Sequence, residues 1–214
     1  MRDIFSLERG GDIAWWKDLF FFLKKDGWKE DSTSFSAPRN VRTIYLDSED
    51  LSKDYFARLR NYPADKKMNW PEKDEEFHVE YGTRGLEMQF VSSHNPRRFA
   101  FQVGIDFIES LFHCSLRPRL ATFYKRQMFF HGSYALFIDR EVVYMFCDNE
   151  KKKLLPLRRG ELGSRAECIL PDGEKDLREA VANLFQEWGW KKTEKLKKEI
   201  GEFYVQEYLS RKAA

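Results

Sequence analysis

From Asp12 to Lys25 the apolar positions Ile13, Trp16, Leu19, Phe20 and Leu23 recur at helical spacing, and Gly27 beyond them is a helix stop. The pattern predicts a helix there. A Ser/Thr/Pro loop over Asp31–Pro38 follows, and Val41–Leu46, rich in β-branched and aromatic residues, predicts a strand that Asp47 to Asp50 ends. The middle of the chain alternates short strand patterns with turns. The predicted strands are Glu76–Tyr81, Leu86–Val91, Arg98–Phe101, Leu120–Phe130, Tyr134–Asp139 and Val142–Cys147, with turn chemistry at Ser92–Pro96 and His131–Ser133.

One helix interrupts this series, with Ile105, Ile108, Leu111 and Phe112 on one face of Val103–Cys114. The end is helical again. Leu177, Val181, Leu184 and Phe185 form an apolar stripe, and the Lys-rich segment Lys191–Lys198 leads into Phe203, Val205 and Tyr208. No fixed-period repeat and no Gly/Ser or Pro-rich linker divides the chain. The order predicts one α+β domain over residues 1–214, built on an antiparallel sheet or barrel with flanking helices at both ends.

Composition narrows the class. With 214 residues, 42% hydrophobic and 16% aromatic, the chain has enough apolar surface for a core, which excludes collagen-like and disordered readings. The 37 Lys+Arg against 35 Asp+Glu leave a formal charge of +2, so the overall field gives no argument for nucleic acid or membrane binding, and any polyanion site must be local. The apolar run Trp15–Leu23 is broken by Lys17 and Asp18, too short and too charged to cross a bilayer, and no signal-peptide pattern opens the chain. Cys114, Cys147 and Cys168 form no metal or redox spacing, and an odd count argues for a reducing compartment; the expected location is the cytoplasm.

Motif chemistry is sparse. No phosphate-loop, dinucleotide-fingerprint, zinc-protease, nucleophile-elbow or EF-hand pattern occurs. His78, His94, His113 and His131 lie far apart and are expected at the surface or in turns, while Arg97-Arg98 and Lys151–Lys153 read as solvated basic loops.

Two segments together carry a resemblance. The first is Val41-Arg-Thr-Ile-Tyr-Leu-Asp47 with Glu49-Asp-Leu51, Tyr55 and Arg58-Leu-Arg60; the second is Leu116-Arg-Pro118, Phe123-Tyr-Lys-Arg126 and Ala135-Leu-Phe-Ile-Asp139. They resemble the vacuolar transporter chaperone (VTC) polyphosphate polymerase domains of the triphosphate tunnel metalloenzymes. Arg165-Ala-Glu167 and Lys191–Lys198 sit where that family has an acidic strand and a Lys-rich final helix. The resemblance spans about residues 1–209 and is specific only around Tyr45 and Tyr124.

It implies an antiparallel β tunnel whose inward Arg and Lys hold ATP, triphosphate or polyphosphate, with a Glu-bound divalent metal, manganese or magnesium. Strand alternation makes this coherent, because every second residue of a closed barrel points inward. Phosphoryl transfer then needs mainly alignment and charge neutralisation. Carried onto this sequence, the resemblance implies Lys67 and Arg126 as phosphate clamps and Glu167 and Glu80 as metal ligands. Arg84, Lys125, Tyr124, Lys195 and Lys198 become further substrate contacts. Tyr124 and Arg126, two apart on one strand, should share a face that Lys125 does not. Arg126 and Lys67 are expected to meet in the hollow of the rolled sheet.

The chain departs from the family pattern. Of the six cation positions compared, Lys67 and Arg126 remain basic while Asn69, Gly82, Ala135 and Ile169 do not. Each lost cation removes charge-assisted hydrogen bonds worth about 1.5 to 3 kcal/mol apiece. The resemblance therefore leaves three readings: a polymerase moving the γ-phosphate of ATP onto polyphosphate, with reduced activity; a non-catalytic polyanion-binding module of the same fold; or a tripolyphosphate hydrolase.

Overall fold

The computed structural model of the chain describes residues 2–7, 21–30, 39–47, 55–65, 68–83, 98–132, 134–157, 163–169, 179, 182–183, 185–187, 189–192 and 197–213. Among them are eleven strands: β1 (Arg2–Leu7), β2 (Lys29–Glu30), β3 (Arg39–Asp47), β4 (Tyr55–Asn61), β5 (Glu76–Thr83), β6 (Arg98–Ala100), β7 (Arg117–His131), β8 (Tyr134–Asp148), β9 (Lys153–Pro156), β10 (Gly163–Ile169) and β11 (Lys191–Lys192). Two helices, α1 (Phe101–Phe112) and α2 (Lys197–Ala213), accompany them, and residues 21–25 are also helical.

The chain forms two compact units that share the long strands β7 and β8, dividing them at 123/124 and 143/144. In the first unit the strand order is β11-β1-β10-β8-β7, with β2 on β7; β1 runs antiparallel to β10, with Ile4 opposite Glu167. In the second the order is β7-β3-β4-β5-β6, with β9 on β8. The β3–β4, β4–β5 and β5–β6 ladders are antiparallel.

The antiparallel sheet with flanking helices matches the expectation; closure into a barrel is not seen among the described residues. Among the described residues the strand order ends at β11 and β6, each with one neighbour, so the pairing does not close into a barrel. These end strands have only two and three residues, and a strand that short offers few N–H and C=O groups to a further ladder.

The second unit's core explains its sequence. Alternation along β3 and β4 sends Ile44 and Leu59 to one face, where α1 packs, and Gly104 lets the helix approach: a Cβ there would lie 3.1 Å from Leu59 and 3.3 Å from Val79. The helix begins at Phe101 rather than Val103, shortening the predicted strand Arg98–Phe101 by one residue, because Phe101 is buried against Phe77 at 5.4 Å. It ends at Phe112, where His113 takes a left-handed φ of 52°. Its buried positions are Phe101, Gly104, Ile105 and Ile108, while the expected core residue Leu111 is exposed. The predicted strands Tyr134–Asp139 and Val142–Cys147 are one strand, β8, which accommodates the positive φ of 54° at Glu141 within it. Lys191–Lys198 is not continuous helix: β11 takes Lys191–Lys192 and α2 starts at Lys197. Predicted strand Leu86–Val91 and most of the Asp12–Lys25 helix lie outside the described residues.

On the α1 face, the Arg42 guanidinium is buried above Phe77 and near Phe123, with ring distances of 5.1 and 6.0 Å. It donates to the Asn61 side-chain oxygen at 3.1 Å, the Asn69 carbonyl at 3.3 Å and the Glu75 carboxylate. Burial pushes the Glu75 carboxyl up, but the Arg42 hydrogen bond and charge, Asn61 and the Glu72 N–H together bring it below its ordinary value of 4.5. A depressed carboxyl stabilises the fold above its unfolded value and loses that stabilisation as the pH falls through the folded one. The gap in urea midpoint between wild type and Glu75→Gln should therefore be widest near neutrality and narrow below pH 4.5. A gap unchanged by acid would contradict it.

On the opposite face, α2 packs Val205 against Tyr45 of β3 and Leu120 of β7. Gly201 is needed there, since a Cβ would meet Leu120 atoms at 2.3, 2.8 and 3.1 Å, and Leu120 is fully buried and cannot withdraw. Gly201→Ala should lower unfolding free energy by about 1–3 kcal/mol through overpacking, despite alanine's better helix propensity, as read by chemical denaturation.

Candidate functional site

The second unit carries an ordered array of polar side chains on β3 to β6. Antiparallel register sets Tyr45 opposite Arg58 and Arg58 opposite Glu80; one step along, Thr43 lies opposite Arg60, Arg60 opposite His78 and His78 opposite Arg98. Directly opposed residues in an antiparallel ladder share a face. Two cross-strand rows result: Tyr45–Arg58–Glu80, and Thr43–Arg60–His78–Arg98 with strands about 4.8 Å apart.

Both rows are tied together by one carboxylate. Arg58 donates from Nε to Glu80 Oε2 at 2.5 Å, and the Arg60 guanidinium lies 2.9 Å from Glu80 Oε1. Arg60 also donates from Nε to the Thr43 hydroxyl at 3.2 Å. The two arginine side chains are 10% and 11% exposed, so their forks are held in place and shielded from bulk water. Arg98 reaches Glu76 at 3.7 Å, an exposed pair of little energetic weight.

His78 reports the local field. Burial first, then Arg98, and also Arg60, bring its imidazole below the ordinary value of 6.5, against Glu80 and Glu76, which pull it up. Among the described residues its Nδ1 is buried with no hydrogen-bond partner, and its ring meets Tyr62 edge-on at 5.8 Å. The residue stands half-buried in a strand, in an array of guanidinium groups, rather than in a turn.

Arg58 and Arg60 are the site residues that sequence reasoning missed. They were present in the quoted Arg58-Leu-Arg60, and the signal was the spacing: two arginines two apart around a leucine, on a strand, must share a face. The resemblance carries a phosphate clamp to Lys67 instead.

In the first unit, Arg126 is engaged. Its Nε and NH2 donate to the two oxygens of Asp139 at 2.7 and 2.9 Å, and its guanidinium lies 5.3 Å from the Tyr124 ring centre and 5.2 Å from that of Phe137. Asp139 is 0% exposed and Arg126 17%. Tyr124 and Arg126 share a face as expected, and Lys125 pairs elsewhere, with Glu141 at 3.1 Å. The bidentate fork that would grasp a phosphate is here closed on a buried carboxylate.

The remaining expected site residues are partly or wholly beyond view. Lys67, Arg84 and Lys195 lie outside the described residues, so the expected meeting of Lys67 with Arg126 does too. Glu167 is placed on β10 opposite Phe137, and Lys198 within α2. As placed, Glu80 does not fit the divalent metal that the resemblance implies, since a metal on its oxygens would face two guanidinium charges. Among the described residues no group of three or more His, Cys, Asp or Glu stands together to hold a metal ion. Nor, among them, is any helix long and apolar enough to cross a membrane.

The chain matches no family model and no curated protein sequence. It is similar to solved structures. A provisionally assigned adenylyl cyclase of Hippeastrum, described as having a dominant triphosphatase activity, superposes with a TM-score of 0.51 at 12% identity over 94% of this chain and 95% of that one. A provisionally assigned adenylate cyclase of Vibrio parahaemolyticus gives 0.50 at 13% identity, over 93% and 96%. Likeness at this level shows the fold alone, an antiparallel sheet with flanking helices shared along nearly the whole of each chain.

Proposed function

We propose that this chain binds the phosphate chain of a nucleoside triphosphate, tripolyphosphate or polyphosphate on the Arg58–Arg60–His78–Arg98 face of its second unit. One observation carries the reading: two shielded arginines, two apart on β4, aim their guanidinium groups at one point beside a histidine whose Nδ1 has no hydrogen-bond partner among the described residues. Oxygens of a phosphate chain are acceptors of high charge density, and preorganised guanidinium forks are donors matched to them. The similarity to a protein with triphosphatase activity supports the same ligand class.

Binding, rather than turnover, is what these residues supply. The VTC-type polymerase reading takes Lys67 and Arg126 as phosphate clamps and Glu167 as holder of manganese or magnesium, and Arg126 faces Asp139. A polyphosphate ladder formed from ATP and manganese would put phosphoryl transfer first; phosphate release from tripolyphosphate without chain growth would put hydrolysis first.

The binding test is thermal unfolding. Tripolyphosphate at about a hundred times its dissociation constant stabilises the native state by about 2.7 kcal/mol, which should raise the melting temperature where sodium chloride of equal ionic strength does not. Equal shifts from plain salt would overturn the proposal. The histidine adds a pH signature. Because His78 is held below its ordinary value of 6.5, acidification below that pH adds a cation beside Arg60 and Arg98, so wild-type affinity should rise there by more than that of His78→Asn. Parallel pH profiles would show that His78 takes no part.

A further inference from the structure

We infer that Glu80 is an internal competitor for the phosphate site, a carboxylate that occupies both arginine forks and thereby lowers the affinity of every anion that must displace it, so that only chains of high charge bind tightly. The inference rests on the binding reading above and concerns what the site rejects. Each oxygen of Glu80 is taken by a different arginine, Oε2 by Arg58 at 2.5 Å and Oε1 by Arg60 at 2.9 Å. The register fixes this, since Glu80 stands directly opposite Arg58 and Arg60 is the next residue on the same face. The carboxylate is tethered to the same sheet as the arginines, so it competes as an intramolecular group at high effective concentration.

An incoming anion must displace it from at least one fork. A phosphate chain reaches both arginines at once and brings several negative charges, so it replaces the lost contacts with more than it removes. Orthophosphate or sulfate offers one compact group, which cannot span the row from Arg60 to Arg98 and gains little over the carboxylate already there. Like-charge repulsion then drives the displaced Glu80 away from the bound chain. The same residue that a metal-ligand role would make essential for binding is, in this arrangement, an obstacle to it.

Glu80→Gln keeps the shape and an acceptor oxygen but removes the charge. Affinities for tripolyphosphate, orthophosphate and sulfate should be measured by titration calorimetry at constant ionic strength, once with chelator and once with manganese, after thermal melting confirms a folded variant. Glu80→Asp, which keeps the charge and withdraws it by one methylene, serves as a second variant if the first unfolds. Loss of one charge-assisted competitor should tighten tripolyphosphate, orthophosphate and sulfate binding alike, by about tenfold, with Glu80→Asp between wild type and Glu80→Gln. The change should be the same with chelator as with manganese. Unchanged affinities in Glu80→Gln, or weaker tripolyphosphate binding in that variant only when manganese is present, would overturn the inference while leaving the binding reading intact. No binding of any anion by wild type or variants would overturn both.

Discussion

Replacing Arg60 with alanine should weaken tripolyphosphate binding by about ten- to a hundredfold, because a charge-assisted hydrogen bond in a shielded setting contributes about 1.5 to 3 kcal/mol. Arg60 is the residue to choose. It belongs to the row that holds His78 and Arg98, it donates to Thr43, and its removal leaves Glu80 still paired with Arg58. Arg58→Ala with Arg60→Ala should reduce binding to the level of plain salt. Arg60→Lys should recover only part of the affinity, since lysine restores the charge but not the planar fork. Isothermal titration at fixed ionic strength measures all three. Binding unaffected by Arg60→Ala would remove β4 from the site.

Arg126→Ala should instead act on stability. It leaves the Asp139 carboxylate, fully buried, without the guanidinium that takes both of its oxygens. Breaking one side of a buried pair costs about 3–5 kcal/mol, a large part of the 5–15 kcal/mol that typically holds a domain together. Urea unfolding should show that loss, and the double replacement Arg126→Met with Asp139→Leu should recover most of it, because two apolar groups leave no buried charge behind. If Arg126→Ala unfolds at the wild-type midpoint, the pair is not the structural element described here. A drop in ligand binding caused by Arg126→Ala is thus ambiguous unless stability is measured beside it.

Several elements were legible in the sequence for simple reasons. Val41–Leu46 and the β7 segment are rich in β-branched and aromatic residues, which fit a pleated, buried surface, and both are strands. The spacing of Tyr124 and Arg126 placed them on one face, and the pairing of both with neighbours on that face bears it out. Strand β4 was hidden because Arg58, Arg60 and Asn61 interrupt its apolar alternation, although burial in pairs makes those polar residues compatible with a strand. Strand β1 was hidden for a related reason: Arg2, Asp3 and Ser6 leave only Ile4, Phe5 and Leu7 as apolar positions, and its place is set by pairing with β10, distant in sequence.

The site was legible in its chemistry but not in its members. A local group of cations on alternating strand positions was expected, and Arg58 and Arg60 form one; Lys67 lies outside the described residues. Which charges are spent on internal partners is a matter of register, and register depends on pairing between segments far apart in the chain. Sequence alone could not show that Arg126 faces Asp139 or that Glu80 sits between two arginines.

The most direct measurement is a crystal structure grown or soaked with tripolyphosphate. The binding proposal places phosphate oxygens within hydrogen-bond distance of the Arg60 guanidinium and the His78 ring, with the chain running across β4 and β5 toward Arg98 and the Glu80 carboxylate turned aside. Tripolyphosphate ordered elsewhere on the molecule, with Arg58 and Arg60 still closed on Glu80, would contradict it.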